Sequence, residues 1–184
     1  MDIYKHLSDL EITQSDTDII VPFIDNKKHT WYQKYGGFHT GVDITGESIY
    51  AYRSGVVTQI GTSFDNLYSV VVQYTAKVSL RYANLSSVLV TEGDVIRQGQ
   101  YIGIAKQFVH FEYLTSDKGN SKWPVRVGKL TYFKQNPEQL FDGTVVLNAN
   151  DWSQITIANT APRAVTLTES QKLEFDVDGS GGDK

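Results

Sequence analysis

The chain has 184 residues, of which 40% are hydrophobic and 21% are charged, a composition typical of a globular protein. A formal charge of −4 and the lack of any basic block argue against a nucleic-acid-binding surface. Because the chain has no cysteine, disulfides and thiolate metal sites are excluded, and any metal ion must be bound by His, Asp or Glu. No stretch approaches the roughly 20 apolar residues of a membrane span.

Residues 1–18 are polar and acidic, and we expect them to form an arm in front of the folded domain. They contain neither an apolar core nor a small-residue cleavage site, so they do not resemble a secretory signal. If its substrate lies outside a cell, we therefore expect the protein to arrive there by lysis or as part of a particle.

From residue 19 to residue 142 the sequence predicts an all-β domain. Short runs rich in Val, Ile, Tyr and Thr alternate with Gly, Asn, Asp and Ser, and no long helical periodicity is present. The predicted strands are Ser48–Tyr52, Gly55–Ile60, Ser69–Tyr74, Val78–Tyr82, Tyr101–Ala105 and Val109–Tyr113. Short turns are predicted at Asn84–Val88 and Pro137–Phe141.

A β-rich extension is predicted over residues 143–178. It is too short to hold a large core alone, so we expect it to pack on the main domain or on another protein. Its predicted strands are Val145–Leu147, Gln154–Ala158, Ala164–Leu167 and Leu173–Val177. The glycine-rich residues 179–184 are expected to form a flexible tail.

Three residues form a candidate metal site: His39 and Asp43 in the segment FHTGVD, and His110 in VHFE. Two imidazoles and one carboxylate suit a hydrolytic zinc site, whose fourth tetrahedral position holds a water of lowered pKa. Gly41 and the β-branched residues after it argue against a helix here. We expect a strand bent at Gly41, with His39 and Asp43 around one point and His110 on a neighbouring strand.

Glu112 shares a strand face with His110, because alternate side chains of a strand point to the same side. It is therefore either a hydrogen-bond acceptor behind His110 or a plain surface charge. Taken alone the spacing is weak evidence, since a single histidine in a strand is more often structural than a ligand. The other two histidines, His6 and His29, lie in polar segments and are interpreted as surface residues.

The order of five segments resembles the lysostaphin/LytM-type zinc endopeptidases, which cut peptide cross-links in bacterial peptidoglycan. The segments are FHTGVDI, IYAYRSGVV, YANLS, EGDVIRQGQYIG and VHFE, and the resemblance covers roughly residues 20–142. It implies a compact antiparallel β sandwich with an open groove over the metal. Carried over by position, it implies zinc ligands at His39, Asp43 and His110. Glu112 and Tyr82 are candidate residues behind these ligands.

The same resemblance implies two further histidines beside the metal, but the sequence has Asn84 and Phe108 at those positions. Neither can take a proton from water at neutral pH, because Asn offers no usable base and Phe has no polar atom. Loss of a general base commonly costs about 10²–10⁴-fold in rate. Asn84 could still donate to an oxyanion or cap the turn predicted after it. Candidate replacement bases are His29, Tyr35, Tyr82 and Glu112.

These features predict a catalytically impaired relative of the peptidoglycan endopeptidases, acting as a structural or cell-wall-binding component of a bacteriophage tail or baseplate. The expected partners are peptidoglycan peptides or other virion subunits, in a homo- or hetero-oligomer without nucleic acid. The expected location is the virion, or the extracellular medium after lysis. The alternative is an active zinc endopeptidase that cleaves cross-links during phage entry or cell-wall lysis.

A third interpretation is a lipoyl- or biotinyl-type carrier barrel around Gly93–Gly103, since such barrels use a similar turn. A carrier needs a lysine displayed on a tight hairpin. Lys77 lies between two predicted strands, but the residues around it lack the flanking signature of a carrier. This interpretation is the least favoured.

Overall fold

The computed structural model describes residues 19–141 and 167–175. Within them lie ten β-strands and two short α-helices. The strands are β1 Ile19–Val21, β2 Val42–Thr45, β3 Ser48–Tyr50, β4 Gly55–Thr62, β5 Tyr68–Gln73, β6 Val78–Val88, β7 Val95–Ile96, β8 Tyr101–Thr115, β9 Pro124–Val127 and β10 Leu130–Gln135. The helices are α1 Thr30–Tyr35 and α2 Glu169–Glu174, and 3-10 turns occur at Phe64–Asn66 and Pro137–Leu140. No helix among these residues is long and apolar enough to cross a membrane.

All the strands belong to one open antiparallel sheet, in the order β1-β2-β8-β6-β5-β4-β7. The 15-residue strand β8 is its centre, because it pairs with β2, β3, β6 and β10. The small hairpin of β9 and β10 extends the sheet at the end of β8. The prediction of an antiparallel all-β fold is confirmed.

Side-chain alternation in the central strands separates an apolar core from a polar face. Tyr82 on β6 lies opposite Phe111 on β8, and both are completely buried in the core with Ile44 of β2. Successive side chains of a strand point to opposite sides of the sheet. Asp43, next to Ile44, and His110, next to Phe111, therefore face away from the core. Burial of each large apolar side chain contributes about 1.5–3 kcal/mol, and this holds the strands that present the polar face.

Strand β8 is a single strand where the sequence predicts two. The sequence predicts separate strands at Tyr101–Ala105 and Val109–Tyr113, whereas the structure joins them through Gln107, whose φ of 79° marks an irregularity. Strand β6 is also longer than predicted, and the prediction of a turn at Asn84–Val88 is wrong. Asn84 takes a left-handed φ of 67° inside a bulge, and β6 continues to Val88. The turn predicted at Pro137–Phe141 is confirmed as a 3-10 turn.

Helix α1 is short and its ends are set by local signals. The His29 side chain caps its start by accepting a hydrogen bond from the Trp31 backbone N–H at 3.1 Å. Gly36 ends the helix with a φ of 79°, a left-handed conformation that glycine adopts without strain. His29 therefore has a structural role rather than that of a free surface residue.

Helix α2 corrects the strand predicted at Leu173–Val177, because Leu173 and Glu174 form its last turn. A capping box starts this helix: Thr168 accepts from the Gln171 backbone N–H, and the Gln171 side chain accepts from the Thr168 backbone N–H. Several predicted features lie outside the described residues, namely residues 1–18, Val145–Leu147, Gln154–Ala158, most of Ala164–Leu167 and residues 179–184.

Candidate metal centre

The pairing of β2 with β8 sets Asp43 directly opposite His110. Asp43 Oδ1 lies 2.9 Å from His110 Nδ1, and both side chains are buried. The prediction that His110 comes from a strand next to Asp43 is confirmed by this register. The polar face of the sheet therefore brings together two residues that are 67 positions apart in the chain.

A bend before β2 brings His39 to the same point. His39 pairs with Ile24 in an isolated bridge, and its Nε2 lies 3.4 Å from Asp43 Oδ1. The bend requires glycine at position 41, since a Cβ there would lie 2.7 Å from the Phe111 carbonyl oxygen and 2.8 Å from the His110 ring. Gly41 thus allows the His110 ring to pack directly against the backbone of the bend.

Each imidazole makes a hydrogen bond on the side away from the cluster. His39 Nδ1 donates to the Pro22 carbonyl oxygen at 2.8 Å, and His110 Nε2 donates to Glu112 Oε2 at 3.2 Å. A carbonyl and a carboxylate are acceptors, so the proton of each neutral ring is held on this outer nitrogen. In a neutral ring, His39 Nε2 and His110 Nδ1 would therefore be the ligating nitrogens, which is the arrangement that metal-ligating histidines have. Without a metal, the same two nitrogens face Glu174 and Asp43 at 2.9 Å, so each donates a hydrogen bond to a carboxylate.

Glu112 is a buried acceptor, as the first of its two interpretations predicted. Its carboxylate contacts Arg81 Nη1 and Lys134 Nζ, each at 3.0 Å, in addition to His110. Burial alone raises the pKa of a carboxyl group, but Lys134 and Arg81 outweigh it and hold the pKa of Glu112 well below its usual range. Glu112 is therefore ionised and orients the His110 ring.

Glu174 completes the cluster, although the sequence analysis did not identify it. Its Oε2 lies 2.9 Å from His39 Nε2, and its Oε1 lies 3.4 Å from His110 Nδ1. It reaches this place from α2, whose last turn lies where the sequence pattern predicts a strand. The capping box at Thr168 was the available signal for the helix, but no local pattern shows that Glu174 contacts residues 135 positions away.

The pKa values in the cluster reflect two carboxylates and two imidazoles that are buried in direct contact. Burial lowers the pKa of His39, but Asp43 and Glu174 outweigh it and raise that pKa to about 9. Burial and the neighbouring Asp43 carboxylate raise the pKa of Glu174 to about 8. The crowded carboxylates thus favour positive charge at this point, whether from protons or from a cation.

The donor set fits a divalent metal ion. One ligand atom from each of His39, Asp43, His110 and Glu174 can be chosen so that all four lie within 4.8 Å of one another. Within the described part of the chain, Glu174 Oε1 is buried without a hydrogen-bond donor. Two imidazole nitrogens and carboxylate oxygens are ligands that suit zinc.

The two positions where the resemblance implies histidines are used for packing. Asn84 is completely buried, and its side-chain amide donates to the carbonyl oxygens of Lys106 and Phe108 at 3.1 and 2.9 Å. Phe108 is 2% exposed and pairs with Thr45. Asn84 therefore satisfies β8 backbone groups where that strand departs from regular pairing, rather than capping a turn.

Tyr82 is not brought into the cluster. Its ring packs against Phe111, and its hydroxyl accepts from the Tyr52 backbone N–H at 2.8 Å in the core. His6 lies outside the described residues, and His29 caps α1. Among the predicted site residues, the structure therefore brings His39, Asp43, His110 and Glu112 together.

Residues 37–120 match the model of peptidase family M23. The matched range includes His39, Asp43 and His110, whereas α2 lies beyond it. It also includes Gly93–Gly103, which places that segment in a peptidase-like domain rather than a carrier barrel. The chain thus contains a LytM-type, M23-peptidase-like domain. No curated protein sequence is significantly similar to the chain.

Solved structures share the fold at low sequence identity. A crystal structure of the SpoIIIAH and SpoIIQ complex matches with a TM-score of 0.51 at 20% identity, over 71% of this chain and 97% of that one. The catalytic domain of EnpA, a prophage-encoded M23 protein from Enterococcus faecalis, matches with a TM-score of 0.49 at 23% identity, over 68% and 92%. CbpA from L. salivarius REN matches with a TM-score of 0.48 at 23% identity, over 71% and 87%.

Proposed function

We propose that this protein is a hydrolytically impaired M23-type domain that retains a zinc site and serves as a structural or binding component. The observation that carries the proposal is the use of Asn84 and Phe108. Both residues are buried and neither can act as a base, while Asn84 is committed to backbone carbonyls through its amide. The two positions at which the resemblance implies histidines therefore carry no general base.

The residues that would hold zinc are His39, Asp43 and His110, oriented by the Pro22 carbonyl and by Glu112. When bound, zinc supplies Lewis acidity and lowers the pKa of coordinated water. Hydrolysis also needs a general base, whose loss lowers rates by about 10²–10⁴. Retention of the ligands without the base supports a metal that braces the fold.

A structural role is favoured over peptide binding in the groove. Helix α2 lies across the cluster, since Ser170, Gln171 and Glu174 all contact residues of the polar face. A peptide approaching His39, which is completely buried, would have to displace this helix. We therefore favour binding to another protein subunit over binding of a cell-wall peptide at the cluster.

The partner in this proposal is another protein. The SpoIIIAH and SpoIIQ structure is a protein complex, and it shares its fold with this chain at 20% identity. A place in a phage tail or baseplate, and location in the virion, stay predictions of the sequence analysis. Co-purification of the chain with tail proteins from lysates of a producing strain would test them.

The hydrolytic activity is tested by release of soluble fragments from purified peptidoglycan. The assay compares the zinc-loaded protein, the protein with chelator, and a His39→Ala variant, with lysostaphin as the positive control. We expect no release above the His39→Ala background. Release that stops both with chelator and in His39→Ala would overturn the proposal and establish the alternative, an active zinc endopeptidase.

A further inference from the structure

The face that α2 turns toward the domain is polar, and its outer side carries its large apolar residue. Ser170, Gln171 and Glu174 are at most 8% exposed, whereas Leu173 is 51% exposed. The hydrophobic effect alone would favour the opposite orientation, because an amphipathic helix normally buries its apolar stripe. Contacts between polar groups therefore hold the buried face of this helix, together with the apolar packing of Leu167 and Phe175 at its two ends.

These polar contacts are made to residues of the candidate metal centre and to Asn84 beside it. Gln171 Nε2 donates to Asp43 Oδ2 at 3.2 Å, and Ser170 Oγ donates to Asn84 Oδ1 at 2.9 Å. The Phe175 ring, just after the helix, stacks on His39 with centroids 5.4 Å apart. The segment is thus fitted to the cluster at three points besides Glu174.

Glu174 lies among the candidate ligands at separations between hydrogen-bonding distance and the ligand–ligand distance of a tetrahedral metal site. Zinc–nitrogen and zinc–oxygen bonds of 2.0–2.2 Å place neighbouring tetrahedral ligands roughly 3.3–3.6 Å apart. The observed separations are 2.9 and 3.4 Å from His39 Nε2 to Glu174 and Asp43. They are 2.9 and 3.4 Å from His110 Nδ1 to Asp43 and Glu174.

We propose that Glu174 is the fourth ligand of this centre and closes it with four protein side chains, so that the metal fastens α2 over the groove. This inference rests on the metal-binding part of the proposed function. It goes further, because three protein ligands leave a position for water and four do not. A closed centre of this kind stabilises structure and gives the metal no water to activate.

The buried oxygen Glu174 Oε1 supports this role over that of a proton acceptor. A general base lies behind the attacking water, at a distance from the metal that leaves room for that water. Glu174 instead lies within ion-pair distance of both imidazole nitrogens that face the cluster. Its carboxylate occupies the space that the water needs.

The test uses the full chain loaded with Co²⁺, whose visible absorption reports the ligands of the metal. Azide is added to the wild type, Glu174→Ala, Glu174→Gln and Glu169→Gln. Glu169 is the matched control, because it lies on the same helix with its side chain 85% exposed and its carboxylate pairs with Lys172. A closed centre gives azide no position to occupy.

We expect the spectra of the wild type and Glu169→Gln to be unchanged by azide, and that of Glu174→Ala to shift. Zinc transfer to a chromophoric chelator should be at least about 10-fold faster from Glu174→Ala, since even residues behind metal ligands contribute 10–100-fold in affinity. Amide exchange over residues 169–175 should be slowed by zinc in the wild type and not in Glu174→Ala.

A wild-type spectrum that shifts with azide, with Co²⁺ bound, would overturn the fourth-ligand role and leave the proposed function intact. A wild type that binds neither Co²⁺ nor zinc would overturn this inference and the metal-binding part of the proposed function together. If Glu174→Ala does not fold, Glu174→Gln keeps the shape of the side chain, and the wild-type response to azide decides the question without any variant.

Discussion

The hydroxyl of Ser170 donates a hydrogen bond to the side-chain oxygen of Asn84, 2.9 Å away, in a buried position. Asn84 also donates from its side-chain nitrogen to the carbonyl oxygens of Lys106 and Phe108. One amide thus connects β6, β8 and α2. A histidine cannot reproduce this pattern, because an imidazole offers one donor and one acceptor instead of two donors and an acceptor.

Replacement of Asn84 by alanine should therefore destabilise the fold. The buried Phe108 carbonyl oxygen loses its donor at about 1–3 kcal/mol, the part-buried Lys106 carbonyl oxygen loses one at a smaller cost, and alanine is strained at a φ of 67°. We expect a loss of about 2–4 kcal/mol in the free energy of unfolding, measured by urea denaturation. Asn84→Gly keeps the backbone conformation free of strain and should lose less. Equal losses in the two variants would show that strain contributes nothing.

Restoring the two histidines should not by itself restore hydrolysis. We expect Asn84→His with Phe108→His to remain inactive on peptidoglycan, because Glu174 still occupies the centre. The triple variant that adds Glu174→Ala should release soluble fragments in a zinc-dependent manner. The double variant with Glu169→Gln is the control for a change on α2. Activity of the double variant alone would contradict this expectation.

Gly41 should not tolerate a methyl group. A Cβ would lie 2.7 Å from the Phe111 carbonyl oxygen, so Gly41→Ala should cost about 1–3 kcal/mol and displace the His110 ring. Gly61→Ala is the matched control, since its Cβ would meet Ser69 Oγ at an ordinary 3.5 Å. Thermal denaturation and zinc content of both variants check the expectation. A Gly41→Ala protein with wild-type zinc content would show that the bend can adjust.

Neutralisation of Glu112 should be costly for the fold and for the metal. The buried charges of Arg81 and Lys134 would lose their shared partner, which typically costs 3–5 kcal/mol. Because Glu112 also orients His110, we expect Glu112→Gln to weaken zinc binding by about 10–100-fold. Glu47→Gln, at an exposed position, should match the wild type in both. The measurements are urea denaturation and competition with a chelator.

Zinc removal should lower the thermal stability of the wild type. A ligand present at 100 times its Kd stabilises the folded state by about 2.7 kcal/mol, and at 1,000 times by about 4.1 kcal/mol. We expect a concentration-dependent rise of Tm with zinc that chelator reverses. The His39→Ala protein should show no such rise. A rise of equal size in His39→Ala would indicate binding elsewhere in the chain.

The sequence was sufficient for the local parts of the site. Alternation of side chains along a strand correctly predicted that His110 and Glu112 share a face, and the glycine at position 41 correctly predicted the bend before Asp43. These are properties of neighbouring residues, which the sequence specifies directly. The all-β class followed for the same reason from β-branched and aromatic runs.

The errors concern residues whose structure depends on distant partners. Asparagine is common in turns, but the left-handed conformation of Asn84 is accommodated in a strand because β8 supplies carbonyl oxygens for its amide. Leu173 has the pattern of a strand residue, yet the Thr168 capping box and the cluster beneath α2 select a helix. No sequence pattern indicates the role of Glu174, since its contact with His39 spans 135 residues and its contact with His110 also joins distant segments.

The contact between Glu174 and His39 also joins two distant parts of a chain that contains no cysteine. A bond from both residues to one metal ion would act as a cross-link that encloses most of the chain in a loop. For a loop of about 100 residues, a covalent cross-link is credited with roughly 4.7 kcal/mol through the reduced entropy of the unfolded chain. Unlike a disulfide, this link would resist reducing agents and open with a chelator.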